Sequence, residues 1–134
     1  MIIRPAQSTD TPTIVTILQA NQQYEFPEVD GPATIEKAAR HEAHLLLVAE
    51  VDGNVVGLIR GCNIHYRPLI NQLSVLPAMQ GKGIGAALVN AFVERVKASG
   101  EPSIGVTVLE QSKGFWAGMG FHSTGVELLV RSPL

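Results

Sequence analysis

The sequence is poor in the residues that staple or anchor a chain. It has one cysteine, Cys62, so no intrachain disulfide can form. It has no long hydrophobic run. The strongest, LLLVA at residues 45–49, is far short of the ~20 residues a membrane helix needs. It has no excess of one charge either. The net charge of −2 gives no electrostatic reason to expect nucleic acid or an anionic membrane as partner. The opening MIIRPAQSTD lacks the basic-then-apolar pattern of a signal peptide, and the reducing cytoplasm is the expected compartment. There is no internal repeat, low-complexity tract or linker.

What is present is a globular composition, 46% apolar and 16% charged over 134 residues. That length fits one domain, residues 1–134, with a core that needs no disulfide or metal.

Periodicity predicts the elements. Met1 to Arg4 is a short first strand. Asp10 is placed as an N-cap, and a helical stripe through Ile14, Ile17 and Leu18 runs to about Gln22. YEFPEVDGP reads as a loop, and a second helix is expected from about Ala33 to His44. HLLLVAEV and VVGLIRGCNI form a hairpin across Asp52-Gly53-Asn54, and RPLINQLSV is a third strand. A helix follows with Ile84, Leu88, Ala91, Phe92 and Val96 on one face, closed by Gly100 and Pro102. SIGVTVL is a strand, residues 112–118 a short helix, and FHSTGVELLVRS a last strand. The order β-α-α-β-β-β-α-β-α-β is a mixed α/β class.

The stretch AMQGKGIGAALVNAF carries Gly81, Gly83 and Gly85 just ahead of a helix. A helix N-terminus has unpaired N–H groups and a partial positive charge, and glycines let phosphate oxygens reach them. A flexible connection is the plainer alternative. The Walker A pattern is absent, because Gly83 follows Lys82 where Ser or Thr is required. The dinucleotide fingerprint is met in form by Gly81, Gly83 and Ala86. However, it sits after two helices and a hairpin rather than after the first strand.

The third pattern, Gln/Arg-x-x-Gly-x-Gly/Ala, reads here as Gln80-Gly81-Lys82-Gly83-Ile84-Gly85. With it the sequence resembles the GNAT superfamily of N-acetyltransferases. LSVLPAMQGKGIGAALV resembles the family's central motif. FWAGMGF at 115–121 resembles its second motif, and IIRPAQSTD its usual start.

The resemblance implies a GNAT fold: a mostly antiparallel central sheet, helices on both faces, and a splayed strand pair holding an acyl-coenzyme A. It implies acetyl-CoA as cosubstrate, no metal, and a primary amine of a small molecule or peptide as acceptor. Gln80, Gly81, Lys82, Gly83, Ile84, Gly85 and Ala86 would hold the pyrophosphate, and the backbone of Leu73 and Val75 the pantetheine arm. An N–H near Val75 would polarise the thioester carbonyl. A homodimer is common in the family.

Three departures stand out. Trp116 occupies the position of the family's tyrosine acid, and an indole N–H is a poor acid. The asparagine often found before that motif is missing. The central strand reads Asn71-Gln72-Leu73, without the acid some members carry there. Glu110 and Tyr66 are the candidate catalytic residues, each also readable as structural. Tyr24 and Glu28 lie in the acceptor-side loop. His41 and His44 are spaced i, i+3 on a predicted helix and do not match a zinc motif. A non-catalytic acyl-CoA sensor is the alternative function.

Overall fold

The computed structural model describes residues 1–63 and 67–134. Five strands form one sheet in chain order: β1 (Ile2–Pro5), β2 (Leu46–Val51), β3 (Asn54–Asn63), β4 (Pro68–Val75) and β5 (Gly105–Val106). The first three junctions are antiparallel and the last is parallel. The helices are α1 (Thr11–Ala20), α2 (Pro27–Asp30), α3 (Pro32–His41), α4 (Ile84–Ala98) and α5 (Lys113–Gly118).

Side chains alternate across a strand, so one sheet builds two cores. Leu46, Val48 and Leu58 pack under Ile14, Ile17 and Leu18 of α1 and Ile35 and Ala39 of α3. Leu47, Ala49 and Ile59 point the other way, onto Ile84, Leu88, Phe92 and Val96 of α4. The sheet is covered on both faces, as the family resemblance implied.

Two bulges break the alternation. Ala49 stands opposite Gly57 and Glu50 opposite Val55, which leaves Val56 unmatched on β3. Arg60 stands opposite Gln72 and Gly61 opposite Ile70, which leaves Asn71 unmatched on β4. An extra residue slips the side-chain phase by one and bends the strand. Val56 therefore shares a core with Ile59, and Ile70 with Leu73 and Val75.

The hairpin turn has Asp52 at φ 51° and Gly53 at φ 79°. Positive φ at both central residues matches the twist of the flanking strands. Gly100, at φ 83°, ends α4. Its N–H donates to Lys97 O at 3.0 Å and Glu101 N–H to Val96 O at 3.4 Å, so α4 closes in a Schellman motif.

Five expectations are corrected. Asp10 does not cap α1 with its side chain. Its carboxylate accepts from Gln7 N–H at 2.8 Å and pairs with Arg4, because a buried carboxylate takes the strongest donors in reach. The loop YEFPEVDGP contains the single turn α2. The second helix ends at His41 and a separate turn covers Ala43–Leu45, so His41 and His44 do not share a helix face. The strand expected from SIGVTVL shrinks to Gly105–Val106, because β4 turns away after Ile70. Residues 121–134 form no strand, and Val126, Leu128, Leu129 and Val130 are exposed. The alternation there is strand-like, but among the described residues no strand pairs with it.

Candidate functional site

The site follows from where β4 and β5 part. They pair only as Leu69 with Gly105 and Ile70 with Val106, and Thr107 N–H donates to Ile70 O at 3.2 Å. The next residue on β4 is Asn71, the unmatched residue of the bulge. Past it the strands separate around a cleft of about 770 Å3.

One wall of the cleft is the free side of β4. Leu76 N–H donates to Val56 O at 2.9 Å, and Val75 stands opposite Gly57. In an antiparallel ladder that pattern makes Val75, and Leu73 two residues before it, non-hydrogen-bonded positions. The N–H and C=O of both therefore turn away from β3, toward the cleft. Side chains satisfy their carbonyls. Gln23 Nε2 donates to Leu73 O at 3.3 Å. Asn21 Nδ2 and Gln80 Nε2 donate to Val75 O at 2.8 and 3.0 Å. The N–H groups of Leu73 and Val75 remain the backbone donors on this wall.

The glycine loop closes one end. Gly81 and Gly83 have φ of 76° and 82°, and a Cβ on either would meet nothing within 4 Å. These glycines are needed for backbone shape, not for close packing. Gly83 O takes the first bond inside α4, from Ala87 N–H at 3.1 Å. Hence Ile84, Gly85 and Ala86, all lining the cleft, carry N–H groups with no acceptor in the helix. The neutral backbone of this turn, with the dipole of a 15-residue helix behind it, suits an anion.

The opposite wall is apolar. Val108 and Leu109 follow β5, and Phe115 and Trp116 come from α5. Trp116 is buried and meets Phe115 and Phe121 edge to face, with centroids 5.1 and 5.3 Å apart. These contacts fix the indole in the wall of the cleft.

The lining also includes Gln22, Gln23, Glu25, Asp30, Asn71 and Gln72. Asp30 is 5% exposed. Its Oδ2 accepts from the N–H groups of Glu25 and Phe26 at 3.2 and 3.1 Å, and its Oδ1 from Gln72 Nε2 at 2.9 Å. Gln72 Oε1 accepts from Arg60 Nη1 at 3.4 Å, and the same nitrogen donates to Val29 O at 3.0 Å. Burial pushes the Arg60 guanidinium below its ordinary value, while the charge of Asp30 acts to raise it.

Of the residues expected at the site, the structure brings together Leu73, Val75, Gln80, Gly81, Gly83, Ile84, Gly85, Ala86 and Trp116 around one cleft. Gln80 holds the loop to the end of β4 through Val75 O and Asn21 Oδ1. Lys82 is exposed and outside the lining. Glu110 is also exposed and outside the lining, with its carboxylate 2.8 Å from Lys113 Nζ. It sits in the single turn Glu110–Ser112 ahead of α5, between Leu109 and Ser112, which do line the cleft. Tyr66 and His65 lie outside the described residues.

Tyr24 packs against the core under α1 and α3, and Glu28 is exposed. Neither lines the cleft, whereas their neighbours Glu25 and Asp30 do. Cys62 has its thiol pushed up, first by burial and then by the charge of Glu42, the reverse of an activated nucleophile. Asp30, Gln23, Asn21 and the Gln72 bridge were not found by sequence reasoning. A carboxylate inside PEVDG carries no signal of burial.

Comparison with known proteins adds a family. Residues 11–121 match the model of the acetyltransferase (GNAT) family. Three solved structures share the fold. Ard1 from Thermoplasma volcanium is similar at a TM-score of 0.81 and 24% identity, covering 92% of this chain and 83% of that one. A transcriptional regulator from Bacillus halodurans C-125 is similar at 0.79 and 22%, covering 97% and 98%. The PaiA N-acetyltransferase from Thermoplasma acidophilum, solved with coenzyme A, is similar at 0.75 and 17%, covering 89% and 86%.

Proposed function

The chain belongs to the GNAT acetyltransferase family, and we propose that it moves an acetyl group from acetyl-CoA to a primary amine of a small molecule or peptide. In this reading residues 1–134 act as one domain in the cytoplasm. The described residues contain no helix long and apolar enough to cross a membrane.

The parting of β4 and β5 at Asn71 carries the proposal. It opens a cleft with strand N–H donors on one wall and a helix N-terminus at one end. The backbone of Gly81, Gly83, Gly85 and Ala86 would hold the pyrophosphate, with Lys82 adding charge nearby. The N–H groups of Leu73 and Val75 would receive the pantetheine arm as an added strand does. They are also the donors available where the thioester oxygen gains charge during attack. A solved neighbour containing coenzyme A supports the choice of coenzyme.

Direct attack sets two proton requirements. An alkyl ammonium has a pKa near ~10.4 and must lose a proton before its nitrogen can attack. The leaving thiolate, with a pKa near ~8.5, benefits from a hydrogen-bond donor without strictly needing an acid. Trp116 can supply such a donor from the apolar wall. Glu110, exposed in the turn ahead of α5, stays a candidate base, and Tyr66 stays a candidate on sequence grounds alone.

A second reading is a non-catalytic acyl-CoA-binding module. It is favoured by Trp116 in place of the acid and by Glu110 standing outside the lining. Incubation with acetyl-CoA and a panel of amines, read by mass spectrometry, separates the two. Acetylated product from any amine class supports the enzyme. Acetyl-CoA binding with no product from any class supports the module.

A further inference from the structure

We infer that the acceptor enters the cleft as a cation and that Asp30 is the residue that binds its ammonium charge. The inference rests on the acetyl-transfer reading above and names the acceptor class for that same site.

Asp30 is a nearly fully buried carboxylate with no salt bridge among the described residues. Neutral donors hold it: two backbone N–H groups on Oδ2 and the Gln72 amide on Oδ1. A carboxylate has about four acceptor positions. Oδ2 uses two and Oδ1 one, so an acceptor position remains on Oδ1. The cation nearest in the hydrogen-bond network, Arg60, is kept off Asp30 by Gln72 and does not line the cleft.

Among the described residues that line the cleft there is no lysine, arginine or histidine, and there is a second carboxylate, Glu25. A buried carboxylate favours a partner of opposite charge, and a bound cation would supply one on the cleft side.

Gln23 adds an independent observation. Its Nε2 donates to Leu73 O, which fixes the amide orientation, and its Oε1 is then buried without a donor. Native structures seldom leave a buried acceptor unpaired. Gln72 Nε2 ties Gln23 to Asp30, donating to Gln23 O at 3.3 Å and to Asp30 Oδ1 at 2.9 Å. The spare position on Asp30 Oδ1 and the carboxylate of Glu25 both accept, and a positively charged donor matches them. A neutral alcohol supplies no charge, and a carboxylate is repelled.

The test is calorimetric and does not depend on turnover. The chain saturated with CoA is titrated with butane-1,4-diamine, butan-1-ol and butanoate. The expected result is detectable binding of the diamine alone, weakened by salt. In Asp30→Asn the diamine Kd should rise about tenfold or more while acetyl-CoA affinity holds.

Equal binding of the alcohol or butanoate overturns the inference, as does a diamine Kd within about twofold of wild type in Asp30→Asn. If that variant fails to fold, the salt series on the wild-type chain decides. A diamine Kd that weakens with salt supports a charge contact, and a flat response overturns it. Loss of acetyl-CoA binding in the wild-type chain would instead sink the acetyl-transfer reading, whatever the diamine does.

Discussion

Gln72 stands between Asp30 and Arg60, donating from Nε2 to the carboxylate at 2.9 Å and accepting at Oε1 from the guanidinium at 3.4 Å. One amide therefore bridges two groups of opposite charge. Gln72→Ala removes both bonds and a third, from Nε2 to Gln23 O at 3.3 Å. The expected loss is about 2–3 kcal/mol, the usual range for hydrogen bonds to charged groups. Urea unfolding of the variant measures it. A change within about 0.5 kcal/mol would show that the bridge is incidental.

The loop glycines should separate binding from folding. Gly83 has φ 82°, so Gly83→Val strains the turn ahead of α4 by about 1–2 kcal/mol without a packing clash. A Cβ at Gly85 would reach only ordinary contact, 3.7 Å from Leu73 and Phe115, so Gly85→Asp should also fold. It places negative charge where the phosphates are proposed to sit. Both variants should keep their circular dichroism and lose the stabilisation that acetyl-CoA gives in a thermal melt. A folded variant that binds normally would refute the phosphate-loop assignment.

Gly61 tests the core beneath the cleft. A Cβ there would lie 2.5 Å from Phe92 Cζ and 2.6 Å from Leu69 O. Gly61→Ala should destabilise by about 1–3 kcal/mol through overpacking of the β3–α4 contact. Denaturant unfolding should show a lower midpoint with an unchanged slope.

Asp10 gives a pH signature. Its carboxylate is held below the ordinary value, chiefly by the hydrogen bond from Arg4 and with help from Gln7 N–H, against opposing burial. A group whose folded pKa is depressed adds stability above its unfolded value of about 3.9. That stability is lost as pH falls through the folded value. Urea midpoints between pH 7 and pH 2 should therefore fall less in Asp10→Asn than in wild type. Parallel curves would contradict the pairing.

Much of the fold was legible in the sequence because its signals are local. Asp52-Gly53 fixes a turn, Gly100 a helix end, and the α4 stripe a face, each through backbone or side-chain geometry within a few residues. The glycine loop was legible for the same reason.

The bulge at Val56 and the position of the one at Asn71 were not, because a slip in alternation is decided by the partner strand. The length of β5 and the lone segment 121–134 failed likewise. SIGVTVL and GVELLV have strand patterns, but pairing is set by β4 turning away at Asn71 and by which edges remain open. Asp30 was hidden because a carboxylate in a Pro- and Gly-flanked loop looks solvated until the fold buries it beneath Gln72.

The most direct test of the account is a crystal structure of the chain with CoA. The account predicts pyrophosphate oxygens about 2.7–3.2 Å from the N–H groups between Gly81 and Ala86. It also predicts the pantetheine arm running along Leu73 and Val75, with the sulfur between Val75 and Trp116. Coenzyme bound elsewhere on the chain, or pyrophosphate away from the start of α4, would contradict it.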